Sequence, residues 1–239
     1  MKIFNPEKKY IGGFTQNDGT IYFYLRVGSL LKEDSIVLDM GAGRGAWFED
    51  DECEVRRNIR LIKGRVKQII AADVDDAVLQ NKSSDKQILI KNSELDLHKE
   101  SIDLIIADYV LEHIANPSQF YDQINSCLKS GGWFCARTPH KYSYIALISS
   151  LIKNKFHAKV LSKVQPNRKE VDVFPTEYKM NDLKEIRLIF KDWPNSTFIY
   201  RSEPSYFFGN RFVYVFLSFI HRLFPLFFLG NIFVFVQKP

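Results

Sequence analysis

The segment from Ser35 to Gly45 restricts the fold of this chain more than any other. It reads Ser-Ile-Val-Leu-Asp-Met-Gly-Ala-Gly-Arg-Gly, an apolar run that ends in Asp39 and passes directly into three glycines at alternate positions. A continuous apolar run is typical of a parallel strand that is covered on both faces. The glycines allow a tight turn into a helix and let a ligand lie against bare backbone. The segment therefore predicts an α/β fold with a ligand at the end of this strand.

Short apolar runs alternate with helix-length amphipathic segments up to about residue 140, which predicts βαβ units. Asn116 is predicted to cap the helix after the fourth strand, with Pro117 in its first turn and Gly131-Gly132 closing it. With a further helix at about 181–190, the prediction is an α/β, Rossmann-like, seven-stranded, mostly parallel sheet with helices on both faces. The predicted strands are 35–40, 67–73, 87–90, 102–108, 133–137, 197–202 and 231–236.

The chain has 239 residues, which suits one α/β domain better than two. We predict a single domain, 1–239, with a ligand-binding core at about 35–138. Residues 141–180 break the alternation of strands and helices, and they are predicted to form an insertion after the fifth strand that covers the site. Residues 204–229 are predicted to form an apolar, aromatic segment before the last strand.

The C-terminal part of the chain has an unusual composition. Residues 204–239 contain ten of the chain's 20 phenylalanines and no Asp or Glu. His221, Arg222 and Pro225 interrupt the segment, so it lacks the roughly 20 apolar residues of a membrane-spanning helix. Residues 153–169 form a second basic stretch, and the net charge is +5. Because basic, aromatic surfaces suit anionic lipid head groups, we expect 204–229 to lie on a membrane, or to pack on the protein or on a second subunit in a homodimer.

The cysteines and the N-terminus bear on the compartment. Cys53, Cys127 and Cys135 lack Cys-x-x-Cys spacing, so neither a metal site nor a disulfide framework is predicted. Lone cysteines are typical of reduced proteins, and residues 1–6 lack the apolar stretch of a secretory signal. These features predict a cytoplasmic protein, which lies at the inner membrane face if 204–229 binds lipid.

The glycine loop alone leaves two ligands open. Gly41-x-Gly43-x-x-Ala46 also fits the dinucleotide-binding pattern, so an NAD-dependent oxidoreductase is one alternative. Asp39 can orient the loop or reach a ligand amino group. Asp73 ends the second strand, where the ribose of a nucleotide ligand would lie across the sheet. A carboxylate there binds a ribose whether the ligand is NAD or another adenosyl compound, so it does not choose between them.

Two motifs in the expected order point to a family. Residues 37–45, Val-Leu-Asp-Met-Gly-Ala-Gly-Arg-Gly, resemble motif I of the class I methyltransferases that use S-adenosylmethionine (SAM). Residues 103–117, which contain Leu111-Glu112-His113, resemble the segment after the fourth strand in small-molecule methyltransferases of the quinone-biosynthesis type. The resemblance covers roughly 35–138, and 11–14 and 172–176 resemble pieces of a bacterial subgroup of such enzymes. It implies a methyltransferase with SAM as its cofactor.

The resemblance also implies which residues hold SAM. Those after the first strand take the methionine part, and Asp73, or alternatively Asp75, takes the ribose. The family's adenine-binding Asp is missing after the third strand, where Asn92 is predicted to substitute through its amide oxygen. Asp108 and Tyr109 are implied near the transferred methyl group. The full set is Asp39, Gly41, Ala42, Gly43, Gly45, Asp73, Val74, Asn92, Asp108 and Tyr109.

The acceptor and the base follow from less specific features. A hydroxyl acceptor benefits from a general base, worth roughly 10²–10⁴-fold, and His113 and His140 follow strand ends at the ligand-facing edge. The cover and the apolar segment predict a small or membrane-associated acceptor methylated at oxygen, such as a lipid-linked saccharide or an isoprenoid. The basic stretch leaves a nucleic-acid or protein methyltransferase as an alternative, but no nucleic-acid partner is expected because a stacking platform is lacking. A non-enzymatic membrane scaffold is a third alternative, against which the intact glycine loop argues.

Overall fold

The computed structural model describes residues 4–91, 94–144, 146–147, 176–205 and 207–239. Its strands form a single sheet. They are β1 (Ile36–Met40), β2 (Gln68–Asp73), β3 (Lys86–Leu89), β4 (Ile102–Asp108), β5 (Leu128–Pro139), β6 (Phe198–Arg201) and β7 (Gly230–Gln237).

The strand order is β3-β2-β1-β4-β5-β7-β6. Strands β1 to β5 run parallel to one another, and β7 runs antiparallel to β5 and β6. The predicted seven-stranded, mostly parallel sheet is therefore confirmed. The chain moves outward from β1 to β3 and then returns to place β4 on the other side of β1. This reversal of direction opens a crevice at the carboxyl ends of β1 and β4, where ligands of such sheets bind.

Helices cover both faces of the sheet. Asp18 caps the first helix by accepting hydrogen bonds from the backbone N–H groups of Thr20 and Ile21, both at 2.9 Å. Asn116 caps the fourth by accepting from Gln119, with Pro117 in the first turn as predicted. The α-helices are α1 (Gly19–Leu30), α2 (Trp47–Asp50), α3 (Glu54–Arg60), α4 (Pro117–Cys127), α5 (Leu183–Ile189), α6 (Arg211–Leu223) and α7 (Leu226–Leu229).

The sheet separates two buried apolar clusters. On one face Phe23 and Val27 of α1 pack against Val37 of β1 and Phe233 of β7. On the other face α4 and α5 pack against Leu38 and its neighbours. Alternate residues of β1 thus enter opposite clusters, which explains why the strand is apolar at successive positions.

The glycine pair Gly131-Gly132 does not close α4, so this part of the prediction is wrong. The helix ends at Cys127, and Leu128 is already extended and pairs with Ile102 of β4. The glycines lie within β5, in an irregular stretch where the pairing register shifts, and Gly131 has a φ of 76°. The side chain of Leu128 is fully buried in the core, which draws the chain into the sheet before the glycines are reached. Strand β5 is consequently longer than the predicted 133–137.

The described ends of the insertion, near residues 143 and 176–178, border a cavity at the carboxyl edge of the sheet, as do parts of the apolar segment. Of the insertion at 141–180, residues 148–175 lie outside the described residues, together with the basic stretch 153–169. The apolar segment 204–229 contains α6 and α7, separated at Pro225. Among the described residues, no helix is both long and apolar enough to cross a membrane.

Candidate active site

A large cavity opens at the carboxyl ends of β1, β2 and β4, at the crevice that the strand order creates. Its volume is about 1660 Å³. A typical small-molecule site has roughly 300–1,000 Å³, so this cavity has room for two molecules. The glycine loop, defined here as residues 41–45, forms one wall, and Asp73, Asp108 and His113 contribute to the others.

The glycine loop has a backbone that requires glycine. Gly41, Gly43 and Gly45 have φ angles of 69°, 51° and 67°, in the left-handed region that residues with a Cβ rarely adopt. A Cβ on Gly41 would collide with Cγ2 of Val110, whereas a Cβ on Gly43 would meet nothing within 4 Å. Gly43 therefore presents bare backbone to the cavity, on which a ligand can lie.

Asn81 supports the glycine loop from the protein side. Its side chain is buried, and its Nδ2 donates a hydrogen bond to the carbonyl oxygen of Gly43 at 2.9 Å. Its Oδ1 accepts from the backbone N–H and the hydroxyl of Ser83. A Cβ on Gly45 would lie 2.6 Å from this Oδ1, so Gly45 leaves space for the amide. Sequence analysis missed Asn81 because a polar residue in the turn after β2 carries no motif.

Asp73 lies between the loop and the cavity. Its Oδ2 accepts a hydrogen bond from the backbone N–H of Gly43 at 2.8 Å, and its Oδ1 accepts from that of Asp75 at 3.0 Å. Each carboxylate oxygen has a second lone pair that a ribose hydroxyl can use. Val74 is 61% exposed and lines the cavity as well. Asn92, the predicted adenine partner, lies outside the described residues.

Asp108 at the end of β4 belongs to a buried cluster of charges. Arg137 of β5 binds it through two parallel hydrogen bonds, from Nε to Oδ1 at 2.7 Å and from Nη2 to Oδ2 at 2.8 Å. The Tyr24 hydroxyl donates to Oδ2 at 3.3 Å, and Nη2 of Arg60 lies 3.6 Å from it. Burial alone would raise the pKa of Asp108, but Arg137, aided by Arg60 and Tyr24, holds that pKa below its usual value. Asp108 is therefore a carboxylate at neutral pH.

Tyr109 follows Asp108 and faces the cavity. Its φ of 59° is left-handed, and its ring lies 4.7 Å from the guanidinium carbon of Arg137. The Tyr109 hydroxyl accepts a hydrogen bond from Nδ2 of Asn231 in β7 at 2.9 Å. Asp108 and Tyr109 both line the cavity, and their place near a transferred methyl group stays a prediction. Sequence analysis missed Arg137 and Asn231, which hold the two side chains in place.

Asp39 lies behind the glycine loop, and it does not itself line the cavity. Burial raises the pKa of Asp39 to about 7; the nearby carboxylates of Asp108 and Asp73 add to this rise, and Arg60 opposes it. Asp39 consequently changes charge near neutral pH. A cation bound on the loop would favour its ionised form.

The two predicted histidine bases occupy different environments. His113 ends the short 3-10 turn Leu111–His113 and lines the cavity. His140 is 5% exposed and does not line it. The Nδ1 of His140 accepts a hydrogen bond from the backbone N–H of Tyr142 at 3.2 Å, and its ring packs near Phe227. Burial lowers the pKa of His140. Of the two predicted bases, the structure therefore places His113 at the cavity and turns His140 away from it; a catalytic role for either stays a prediction.

Glu112 is a buried carboxylate at the cavity wall that sequence analysis did not single out. Its Oε2 accepts a hydrogen bond from the Thr138 hydroxyl at 2.8 Å. The Thr138 hydroxyl in turn accepts from Nδ2 of Asn181 at 2.6 Å. The carbonyl oxygen of Glu112 accepts from the backbone N–H of Glu177 at 2.7 Å. These bonds connect the end of the insertion to the turn that carries His113.

The residues around the loop fit an adenosyl ligand with an amino-acid tail. Gly43 offers open backbone, and three carboxylates, Asp39, Asp73 and Asp108, lie within electrostatic reach of one another behind it. Arg137 and Arg60 offset the charge of Asp108. The negative charge that suits a ligand with ammonium and sulfonium groups therefore comes from Asp73 and from the ionised form of Asp39. Among the described residues, no group of three or more His, Cys, Asp or Glu side chains is placed to hold a metal ion.

Comparison with known families gives a match over most of the chain. A sequence profile of the family described as "Methyltransferase domain" matches residues 21–187. This range contains the glycine loop, Asp73, Asp108 and both predicted histidines. No match was found among curated proteins.

Solved structures share the fold at low sequence identity. A SAM-dependent methyltransferase from Archaeoglobus fulgidus is 13% identical, covers 91% of this chain and 92% of its own, and has a TM-score of 0.56. A SAM-dependent methyltransferase from Methanosarcina mazei is 14% identical, with coverages of 89% and 97% and a TM-score of 0.52. Geranyl diphosphate C-methyltransferase from Streptomyces coelicolor A3(2), in complex with Mg²⁺, geranyl diphosphate and S-adenosyl-L-homocysteine, is 8% identical, with coverages of 92% and 78% and a TM-score of 0.55.

Proposed function

This chain belongs to the methyltransferase-domain family and is a SAM-dependent methyltransferase; from that premise we propose that it methylates an oxygen atom of a small or membrane-held acceptor. Within this proposal SAM lies on the glycine loop, and the acceptor lies in the rest of the cavity beside His113. Lipid-linked saccharides and isoprenoids are the acceptor classes that the apolar surroundings of the cavity favour.

The observation that carries the proposal is the size of the cavity together with the bare backbone at Gly43. The loop provides a surface for one ligand, and about 1660 Å³ leaves space for a second beside it. Part of the remaining wall is apolar and aromatic, with Phe207, Tyr214 and Leu229. A hydroxyl on an amphiphilic molecule matches such a wall better than a nucleic acid does.

SAM, when bound, would supply a methyl group from its sulfonium and would become S-adenosylhomocysteine. The protein mainly has to align the acceptor oxygen with that methyl group, because near-attack geometry removes much of the barrier. Asp108 is locked by Arg137 and cannot turn away, and Tyr109 is held by Asn231. In this proposal the acceptor O–H gives its proton to His113 as oxygen bonds to carbon, so no charge accumulates on the acceptor.

The test of the cofactor is calorimetry on the purified protein with SAM, S-adenosylhomocysteine and NADH. We expect SAM and S-adenosylhomocysteine to bind with micromolar dissociation constants, and NADH not to compete. Binding of NADH in place of SAM by a folded protein would contradict the proposal.

The affinity for SAM should increase with pH, because Asp39 has a pKa of about 7. The sign follows from charge: above this pKa Asp39 is negative and attracts the cationic ligand. Between pH 6 and 8 we expect up to about a tenfold gain, since the ionised fraction of Asp39 rises from about 9% to about 91% across a pKa of about 7. Calorimetry at pH 6, 7 and 8 measures it.

The matched variant for this measurement is Asp39→Asn, which keeps the shape of the side chain without its charge. It should bind SAM more weakly at pH 8, and any pH dependence that it retains comes from the ligand or from groups other than Asp39. The folded state holds the Asp39 pKa above its ordinary 3.8, so the empty protein loses stability as the pH rises from about 4 to about 7, and the loss is complete at pH 8. Asp39→Asn should therefore be at least as stable as wild type at pH 8. An unchanged pH profile in this variant would assign the titration to another group.

The roles of the two histidines can be separated by substitution. Because only His113 lines the cavity, His113→Ala should lower kcat roughly 10²–10⁴-fold with little change in SAM affinity, whereas His140→Ala should retain kcat. The measurement is turnover with an acceptor found by screening, together with SAM calorimetry on each variant. Equal turnover of His113→Ala and wild type would show that His113 is not the general base.

A further inference from the structure

The side of α6 that faces away from the rest of the protein is apolar and exposed. We define the apolar face as Phe212, Val215, Phe216, Phe219 and Leu223, which recur at helical spacing along one side of α6. Their exposed fractions are 86%, 58%, 61%, 59% and 65%. The next residues, Phe224, Leu226 and Phe227, extend this surface and are each at least 40% exposed. Contiguous apolar surface of this kind marks an interaction site on a folded protein.

Basic residues of α6 border the apolar face, and α6 itself carries no acid. Arg211 and Arg222 are exposed, and helical periodicity places both along the same edge of the face, next to Val215. Residues 204–239 contain no Asp or Glu. Glu203, just before this stretch, accepts a hydrogen bond from the Tyr214 hydroxyl on the inner side of α6. The outer surface is therefore apolar and cationic, the combination that binds anionic lipid head groups.

The length of α6 determines whether it can span a membrane or only lie on its surface. Its 13 residues span about 20 Å, shorter than the roughly 30 Å of a bilayer core. The inner side of the helix is bound to the protein: His221 is buried, and its Nδ1–H donates a hydrogen bond to the Ser202 carbonyl oxygen at 3.0 Å. Only the outer side is available, so the helix can lie in the interface plane and cannot insert across it.

A second copy of the chain fits this surface less well than lipid does. Packing two apolar faces together would bring the arginines of both copies to one interface, and residues 204–239 supply no acid to pair with them. Buried cations without partners are costly. Anionic lipid provides both the apolar phase and the negative charge.

We propose that the apolar face of α6 docks on an anionic membrane surface, with α6 lying in the plane of the interface. The inner side of the same helix reaches the cavity, because Tyr214 lines it, as do Phe207 and Leu229 beside the helix. Docking thus places the wall of the cavity against the lipid surface. That the acceptor is taken from the membrane rests on the proposed function; the docking itself does not.

Sedimentation with vesicles tests the docking. The full chain is mixed with vesicles of phosphatidylcholine alone, or of phosphatidylcholine with about 30% phosphatidylglycerol, at low and high salt. We expect binding to the anionic vesicles that weakens with salt, because exposed charges are screened. Absence of wild-type binding to anionic vesicles at low salt would overturn the proposal.

Variants identify the surface. Phe212→Ser/Phe216→Ser should lower the partition coefficient roughly 100-fold, the loss expected for two buried phenylalanines, and Arg222→Ser roughly fivefold. Leu188→Ser is the matched control, since Leu188 is an exposed apolar residue (72%) on α5, and it should bind like wild type. Equal binding by the double variant would overturn the assignment of the face.

Two further measurements separate the remaining outcomes. The first is analytical ultracentrifugation. If wild type were a dimer and Phe212→Ser/Phe216→Ser a monomer, the apolar face would be covered by a second copy of the chain and not by lipid, which would overturn the proposal. The double variant should bind SAM like wild type, which shows that it is folded. Vesicle binding without SAM binding would contradict only the proposed function, and SAM binding without vesicle binding would contradict only the docking.

Discussion

Gly43→Val should abolish SAM binding while the protein stays folded. The Cβ of residue 43 would meet no protein atom within 4 Å, so the added side chain can enter the cavity without displacing the core. The cost to folding is the left-handed φ of 51°, which for a residue with a Cβ is of the order of 1–3 kcal/mol. The isopropyl group would occupy the surface on which the ligand lies. We expect at least about a hundredfold loss of affinity, or about 2.7 kcal/mol.

The matched control is Gly64→Val. Gly64 also has a left-handed φ, 80°, and open space around its Cβ, but it does not line the cavity. Both variants should therefore lose similar stability in urea unfolding, and only Gly43→Val should lose SAM binding in calorimetry. SAM binding by Gly43→Val within about threefold of wild type would show that the ligand does not lie on the glycine loop.

Arg137→Met should destabilise the protein by about 3–5 kcal/mol, the cost of leaving one charge of a buried pair without its partner. The side chains of Arg137 and Asp108 are each 5% exposed. Without Arg137, the Asp108 carboxylate loses two hydrogen bonds of 2.7 and 2.8 Å, and little of its side chain is exposed to water at the cavity wall. Methionine fills much of the same volume, so the loss reports charge more than packing. Urea unfolding at pH 7 measures it.

Two variants test this explanation. Adding Asp108→Asn to Arg137→Met removes the stranded charge and should restore at least about half of the lost stability. Lys129→Met breaks the more exposed ion pair with Asp103, whose side chains are 40% and 32% exposed, and should cost less than about 1 kcal/mol. If Arg137→Met cost no more than Lys129→Met, solvent would have to reach the Asp108 site.

The features that local patterns encode were predicted correctly. The apolar run of β1 and the glycines after it are a local signal, because strand burial and left-handed turns depend on neighbouring residues. The Asn116 cap with Pro117 is local for the same reason. These patterns led to the sheet, to the position of the crevice and to the resemblance, which the family match supports.

Local patterns were insufficient where two structures compete for one segment. Gly131-Gly132 is a common helix ending, yet the glycines lie within β5, because burial of Leu128 outweighs the local preference. His140 follows a strand end, as a catalytic residue would, but its ring faces Tyr142 and Phe227 instead of the cavity. The direction of a side chain after a strand end is set by packing and leaves no pattern in the sequence.

The sequence by itself determined the class of fold, the glycine loop and the edge of the sheet at which ligands bind, since each depends on backbone conformation and hydrophobic period over a few residues. Only the tertiary structure decided which side chains support that edge. Arg137 meets Asp108 across 29 positions and Thr20 across 117, and Asn81 reaches Gly43 across 38. Such contacts form because the sheet brings distant strands together, and one sequence contains no periodicity that relates the partners.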